Sequence, residues 1–312
     1  MISIQNENWK IRLMTSPNAI VACCDKNMIS GACVALLSAR QHLGTIQADL
    51  ILIARDLPDE DREVIAIFEA KHSIRFKQIH LDSAALEASV TNYGATTLRL
   101  GLDGFLSGDY ERVLYLDSDV LAIDDISYLF TAELGDNAIA AVPDLVKNIP
   151  LNVKRMESLG LSFGNYFNAG VLLFNWKICL ERKLFAKARE AISGPRLRFL
   201  DQDALNFACE NKWLRLPVGY NFIAPFHARL TLHPRIVHFT GGGKGRKPWE
   251  PGSIALHKSY RTFFQTALEG TPWNNFVKPA NRQDRIIGEI RSRIEALRRY
   301  STVLDYLKKH QL

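Results

Sequence analysis

Asp117-Ser118-Asp119 sets two carboxylates one residue apart, directly behind the apolar run VLYL. Where a strand gives way to a loop, such a pair can share one divalent cation, and hard oxygen donors suit Mn²⁺ or Mg²⁺. A cation held there can bridge a diphosphate and neutralise the charge that develops as it leaves. A second acidic group, Asp201-Gln202-Asp203, opens the apolar segment ALNFA. It reads equally as a helix start whose acids complement the helix dipole. HFTGGGKGRKPW, residues 238–249, is basic and glycine-rich. Its backbone amides, Gly241 among them, and one lysine suit closure over a diphosphate. Lys247, beside Pro248-Trp249, is the candidate phosphate lysine, with Lys244 as its alternative.

These residues need a scaffold, and the first half of the chain describes one. Residues 17–25 (PNAIVACCD) form an apolar run closed by Asp25, followed by an amphipathic helix over 29–43. Residues 49–55 (DLILIAR) repeat the pattern, with a helix after Pro58; 74–81 alternate as a third strand. A helix near 94–107 then leads into a fourth strand at 112–117. Strands alternating with helices indicate an α/β fold, a mostly parallel sheet with helices on both faces. Ligands of such sheets bind beyond the carboxyl ends of the strands. The second half is less regular, with an apolar run at 169–174.

At 312 residues and 47% hydrophobic, the chain is long enough for a large core. Its formal charge is +6, and residues 281–312 carry eight Lys/Arg against four Asp/Glu, or +4 of that total. A basic tail on a near-neutral body argues against a nucleic-acid-binding face. In that tail Ile290, Ile294, Leu297, Leu304 and Leu307 fall on one helical stripe flanked by Arg291, Arg293 and Lys308. Such a helix suits an anionic membrane interface, or docking on the body or a partner helix. Five cysteines without a CxxC pair read as buried free thiols of a reducing compartment. No run is long enough for a signal peptide or a membrane span, so the expected location is cytoplasmic, peripheral on the inner face of the cell membrane.

VLYLDSDVL, YFNAGVLLFN, DQDALN and the pair HFTG…KPW resemble, in order, the signature blocks of glycosyltransferase family 8. That family includes bacterial lipooligosaccharide galactosyl- and glucosyltransferases and the glycogenins. The resemblance implies a GT-A fold, a UDP-sugar donor, Mn²⁺ (Mg²⁺ as the alternative) and retention of anomeric configuration. It makes Asp117, Asp119 and His238 metal ligands. Asp25, Asn27, Arg99, Ser118, Asn168, Gly241 and Lys247 become donor-binding residues, and Asp201 and Gln202 catalytic ones that orient the sugar and stabilise positive charge. Small Ala169 and Gly170 let backbone approach a sugar hydroxyl. Asp144 is set near the acceptor, while Tyr166 and Phe167 are read as packing. Lys26 and Met28 depart from the family pattern, which has an acid and an aromatic there.

The resulting expectation is a GT-A domain over 1–280 and a basic amphipathic helix over 281–312. The enzyme would move galactose or glucose from a UDP-sugar to a lipid-linked or surface glycan, in lipopolysaccharide biosynthesis. A self-glucosylating enzyme and a catalytically silent nucleotide-sugar-binding protein are the alternatives.

Overall fold

The structure is a computed structural model, describing residues 16–82, 94–144, 153–161, 164–192, 197–223, 233–240, 247–251 and 258–310. Its centre is a seven-stranded sheet in the order β3-β2-β1-β4-β7-β6-β8. The strands are β1 (Asn18–Asp25), β2 (Asp49–Arg55), β3 (Lys77–Leu81) and β4 (Arg112–Leu116) in one half. β6 (Ile139–Pro143), β7 (Phe167–Asn175) and β8 (Leu214–Arg215) complete it. The first four are mutually parallel; β7 runs antiparallel to both β4 and β6, and β8 is parallel to β6. A smaller sheet joins β5 (Val120–Ala122), β10 (Ile236–His238) and β9 (Phe222–Ile223).

The apolar runs read in the sequence are continuous because both faces of the sheet are covered. Along β1, Ile20, Ala22 and Cys24 enter one buried cluster while Ala19, Val21 and Cys23 enter another. Helix α1 (Ile29–Gln41) and helix α2 (Asp59–His72) follow their strands as the periodicity requires. Farther on come α3 (Leu184–Ile192), α4 (Leu200–Ala208), α5 (Lys258–Leu268) and the 29-residue α6 (Arg282–His310). All five cysteines are buried free thiols, and burial pushes Cys23 up to about 12.

One element differs from expectation. In place of a helix near 94–107, a 3₁₀ segment, Ala95–Gly101, turns into one α-helical turn, Leu102–Phe105. Gly94, at φ +90°, and Gly101 and Gly104 supply loose backbone at both ends, so a long regular helix is not favoured there.

Candidate active site

β4 ends at Leu116 and β5 begins at Val120, so the Asp117-Ser118-Asp119 motif is the hinge between the two sheets. Backbone bonds fix it on both sides: Asp117 N–H donates to the Gly170 carbonyl (2.8 Å), and Phe239 N–H donates to the Asp119 carbonyl (2.9 Å). Ser118 is tied inward, its hydroxyl donating to the Cys23 carbonyl (3.1 Å). The antiparallel register of β10 on β5 pairs His238 with Val120 and so delivers the imidazole to the motif. Its Nε2 lies 3.2 Å from Asp119 Oδ1 and 3.7 Å from Asp117 Oδ2. One ligand atom from each of the three residues falls within 4.8 Å of the others.

Gly170 is what makes this approach physically feasible. A Cβ there would stand 2.1 Å from His238 Cε1 and 2.9 Å from Asp117 Oδ2. The imidazole fills the space a Gly170 side chain would occupy, while Ala169 and Gly170 themselves line the pocket described below.

Arg99, a donor-binding residue by resemblance, is 3% exposed. Its Nη2 is 2.6 Å from Asp117 Oδ1 and its Nε is 2.9 Å from Asp201 Oδ2. Nη1 donates to the Ala169 carbonyl (2.5 Å), and the guanidinium lies 4.5 Å from the Tyr115 ring centroid. Burial alone would lower its pKa, but Asp117, Tyr115 and Asp201 outweigh burial and hold it raised. Burial likewise pushes the Asp119 carboxyl up, yet Lys247, followed by His238, overcomes this and keeps Asp119 below the usual carboxylate range.

Asp201 and Gln202 stand at the start of α4, but neither caps it. Asp203 Oδ2 instead accepts from the N–H of the N-cap residue Phe199 (2.9 Å), while Asp201 turns to Arg99. Gln202 is held at both ends: Oε1 accepts from Ala169 N–H (3.0 Å), and Nε2 donates to Asp144 Oδ2 (3.0 Å). Asn168 Nδ2 reaches the same Asp144 oxygen (3.2 Å). Tyr166 is more than packing: its hydroxyl donates to Asp203 Oδ1 (2.5 Å) and accepts from Gln202 Nε2 (3.1 Å). Arg99, Asp117, Asp119, Asn168, Asp201, Gln202 and His238 together line one pocket of about 310 Å³, large enough for part of a sugar nucleotide.

Asp25 and Asn27 are not among the residues lining that pocket. They form a turn after β1, Asn27 N–H donating to Asp25 Oδ1 (2.9 Å), on the strand beside β4. Lys247 reaches the acidic cluster: its ammonium contacts Asp119 Oδ2 and donates to the Phe239 carbonyl (2.6 Å). Gly241 and Lys244 lie outside the described residues. Sequence reading missed three participants. Tyr115, whose hydroxyl donates to Asp117 Oδ1 (2.9 Å), was hidden as one more apolar strand residue, and Tyr166 in the same way. Asn221, 2.9 Å from His238 Nδ1, carries no sequence signal at all.

Two carboxylates and one imidazole, converging from a sheet hinge and held open by a glycine, fit a divalent cation of the Mn²⁺ or Mg²⁺ kind. The α/β sheet with this cluster beyond the carboxyl end of β4 has the GT-A fold. Glycosyl transferase family 8 matches residues 19–251, and the chain belongs to that family, as an enzyme of the hexosyltransferase class. It is 27% identical over 268 residues to the lipopolysaccharide 1,2-glucosyltransferase of Escherichia coli K12, covering 80% of this chain and 77% of that one. It is 30% identical over 196 residues to the lipopolysaccharide 1,3-galactosyltransferase of Salmonella typhimurium, covering 58% and 56%. The solved galactosyltransferase LgtC, in complex with donor and acceptor sugar analogues, shares the fold at TM-score 0.65 and 22% identity, covering 86% of this chain and 99% of that one.

Proposed function

We propose that this enzyme moves galactose or glucose from a UDP-sugar to a lipid-linked or surface glycan of lipopolysaccharide type, with retention at the anomeric carbon. The observation that carries the reading is the Asp117, Asp119 and His238 cluster opening on the Arg99, Asp201 and Gln202 side of one pocket. Mn²⁺ held by those three residues would neutralise the departing diphosphate. Lys247 would turn from Asp119 to the phosphates, and Asp25 and Asn27 would meet the nucleoside. The buried bonds of Gln202 to Ala169 and Asp144 support a rigid wall for the sugar, with Asp201 stabilising positive charge at the anomeric carbon. In a front-face route the bond from that carbon to the phosphate oxygen breaks as the bond to the acceptor oxygen forms. The acceptor proton passes to the departing phosphate oxygen.

The chain would act at the membrane surface. Among the described residues no helix is long and apolar enough to cross a membrane. In α6, however, Ile286, Ile290, Ile294 and Leu297 are exposed, Leu304 is half-buried, and the Leu307 side chain lies outside the described residues. We assign residues 281–312 to attachment on an anionic bilayer and 1–280 to the catalytic domain.

UDP release from a panel of UDP-hexoses with Mn²⁺ tests this, with EDTA and Asp119→Ala as controls. Release with a galactosyl or glucosyl donor, lost in both controls, is expected. Metal-independent release, or none with tight UDP binding absent, would overturn it.

A further inference from the structure

We infer that Asn221 is a positioning residue that keeps a proton on His238 Nδ1 and so makes Nε2 the metal-facing nitrogen. The inference deepens the metal reading above and rests on it for its functional meaning.

The argument is one of hydrogen-bond direction. Gly170 N–H donates to Asn168 Oδ1 (3.0 Å), and a backbone N–H can only donate. That fixes which end of the Asn168 amide is oxygen, and Asn168 Nδ2, facing Asp144 Oδ2 at 3.2 Å, agrees. Asn221 approaches the same Asn168 oxygen at 2.9 Å and must therefore present its Nδ2. Its remaining atom, Oδ1, is left facing His238 Nδ1 at 2.9 Å. A carbonyl oxygen cannot donate, so Nδ1 must. Asn221 is fully buried, out of reach of bulk water.

The consequence reaches the metal cluster directly. With Nδ1 committed, Nε2 is the nitrogen turned toward Asp119 and Asp117. Nε2 faces an acceptor as well, Asp119 Oδ1 at 3.2 Å, which competes with Asn221 for the proton of a neutral ring; without Asn221 that proton settles on Nε2. That tautomer has no lone pair to give a cation. Outer partners of metal-bound histidines act in this way, fixing tautomer and ring orientation, and their loss costs about 10–100-fold in metal affinity. The relay continues from Asn221 through Asn168 to Asp144 and Gln202, joining the metal side of the pocket to the wall proposed for the sugar.

Long-range ¹H–¹⁵N spectra of the ¹⁵N-histidine-labelled full chain test this without any turnover. His238 Nδ1 is expected to be protonated in the metal-free protein and to stay so on addition of Mg²⁺. Asn221→Leu is expected to move the neutral ring to the Nε2–H form and to weaken Mn²⁺ binding, by calorimetry, about 10–100-fold. An unprotonated Nδ1 in the unsubstituted protein overturns the inference even if the variant does not fold. An unchanged tautomer in a folded Asn221→Leu does the same. If the unsubstituted protein has the Nδ1–H form but binds no Mn²⁺, the proposed function fails and the positioning of the ring stands.

Discussion

Arg99 stands between Asp117 and Asp201, 2.6 Å from one carboxylate and 2.9 Å from the other, and so ties the end of β4 to the start of α4. The two acids are 84 residues apart in the chain, and this guanidinium bridges them. Removing one partner of a buried pairing leaves charge uncompensated, at a cost of about 3–5 kcal/mol. Arg99→Met is expected to fall near the lower end, because Asp117 is 23% exposed. Urea denaturation in EDTA measures it. Arg99→Lys should recover only part of the loss, since one ammonium cannot reproduce the guanidinium's fork of donors. Stability unchanged in the Met variant would mean that water replaces Arg99 at both acids.

Gly170→Ala probes the space for the imidazole. The added methyl group meets His238 and Asp117 within 3 Å, so the ring must leave its position between the carboxylates. Mn²⁺ affinity should fall at least about 100-fold, more than for loss of an outer partner. Overpacking should cost only about 1–3 kcal/mol of stability. A variant that binds Mn²⁺ normally would show that His238 is not a ligand.

Acid should weaken the metal-free protein partly through Asp119. Its folded pKa is depressed against burial by Lys247 and His238, so its contribution is complete above about pH 4, the unfolded value. That contribution is lost as pH falls through the lower folded value. Lys247→Met should therefore flatten the decline in stability below about pH 4, measured by chemical denaturation across pH in EDTA. An equally steep decline would assign the acid sensitivity to other groups.

Removal of residues 281–312 separates attachment from chemistry. The truncated chain should lose binding to vesicles rich in anionic lipid while retaining UDP release from a soluble donor and acceptor. Sedimentation with vesicles, beside the UDP assay, reads both. Retained vesicle binding would move the attachment to the body of the protein.

How far the sequence revealed this arrangement depended on the range of the interactions. β1, β2 and β4 were legible because a strand buried on both faces must be an apolar run; Asp117 and Asp119 stood out as an acid pair behind such a strand, but His238 was joined to them only by the family resemblance. The 3₁₀ segment was not, since Leu98, Leu100 and Leu102 suit a helix and the interruption comes from glycines whose backbone angles appear only in three dimensions. The burial of Arg99 was not legible, because it depends on β7 and α4, neither of them near it in sequence. Asn221 was invisible for a related reason: its role is set by which way Asn168 faces, and a backbone amide on β7 decides that.

Lys247 gives the site an order of events. Before any cation arrives, Asp119 already has a counter-ion in the Lys247 ammonium. A cation coming alone must dislodge that ammonium, which among the described residues then keeps the Phe239 carbonyl as its hydrogen-bond partner. A cation that comes with a diphosphate brings a new anion for the lysine as well. Metal and nucleotide should therefore each bind weakly by themselves and tightly as a pair, so that their arrival, rather than the chemistry, decides when the enzyme is assembled for work.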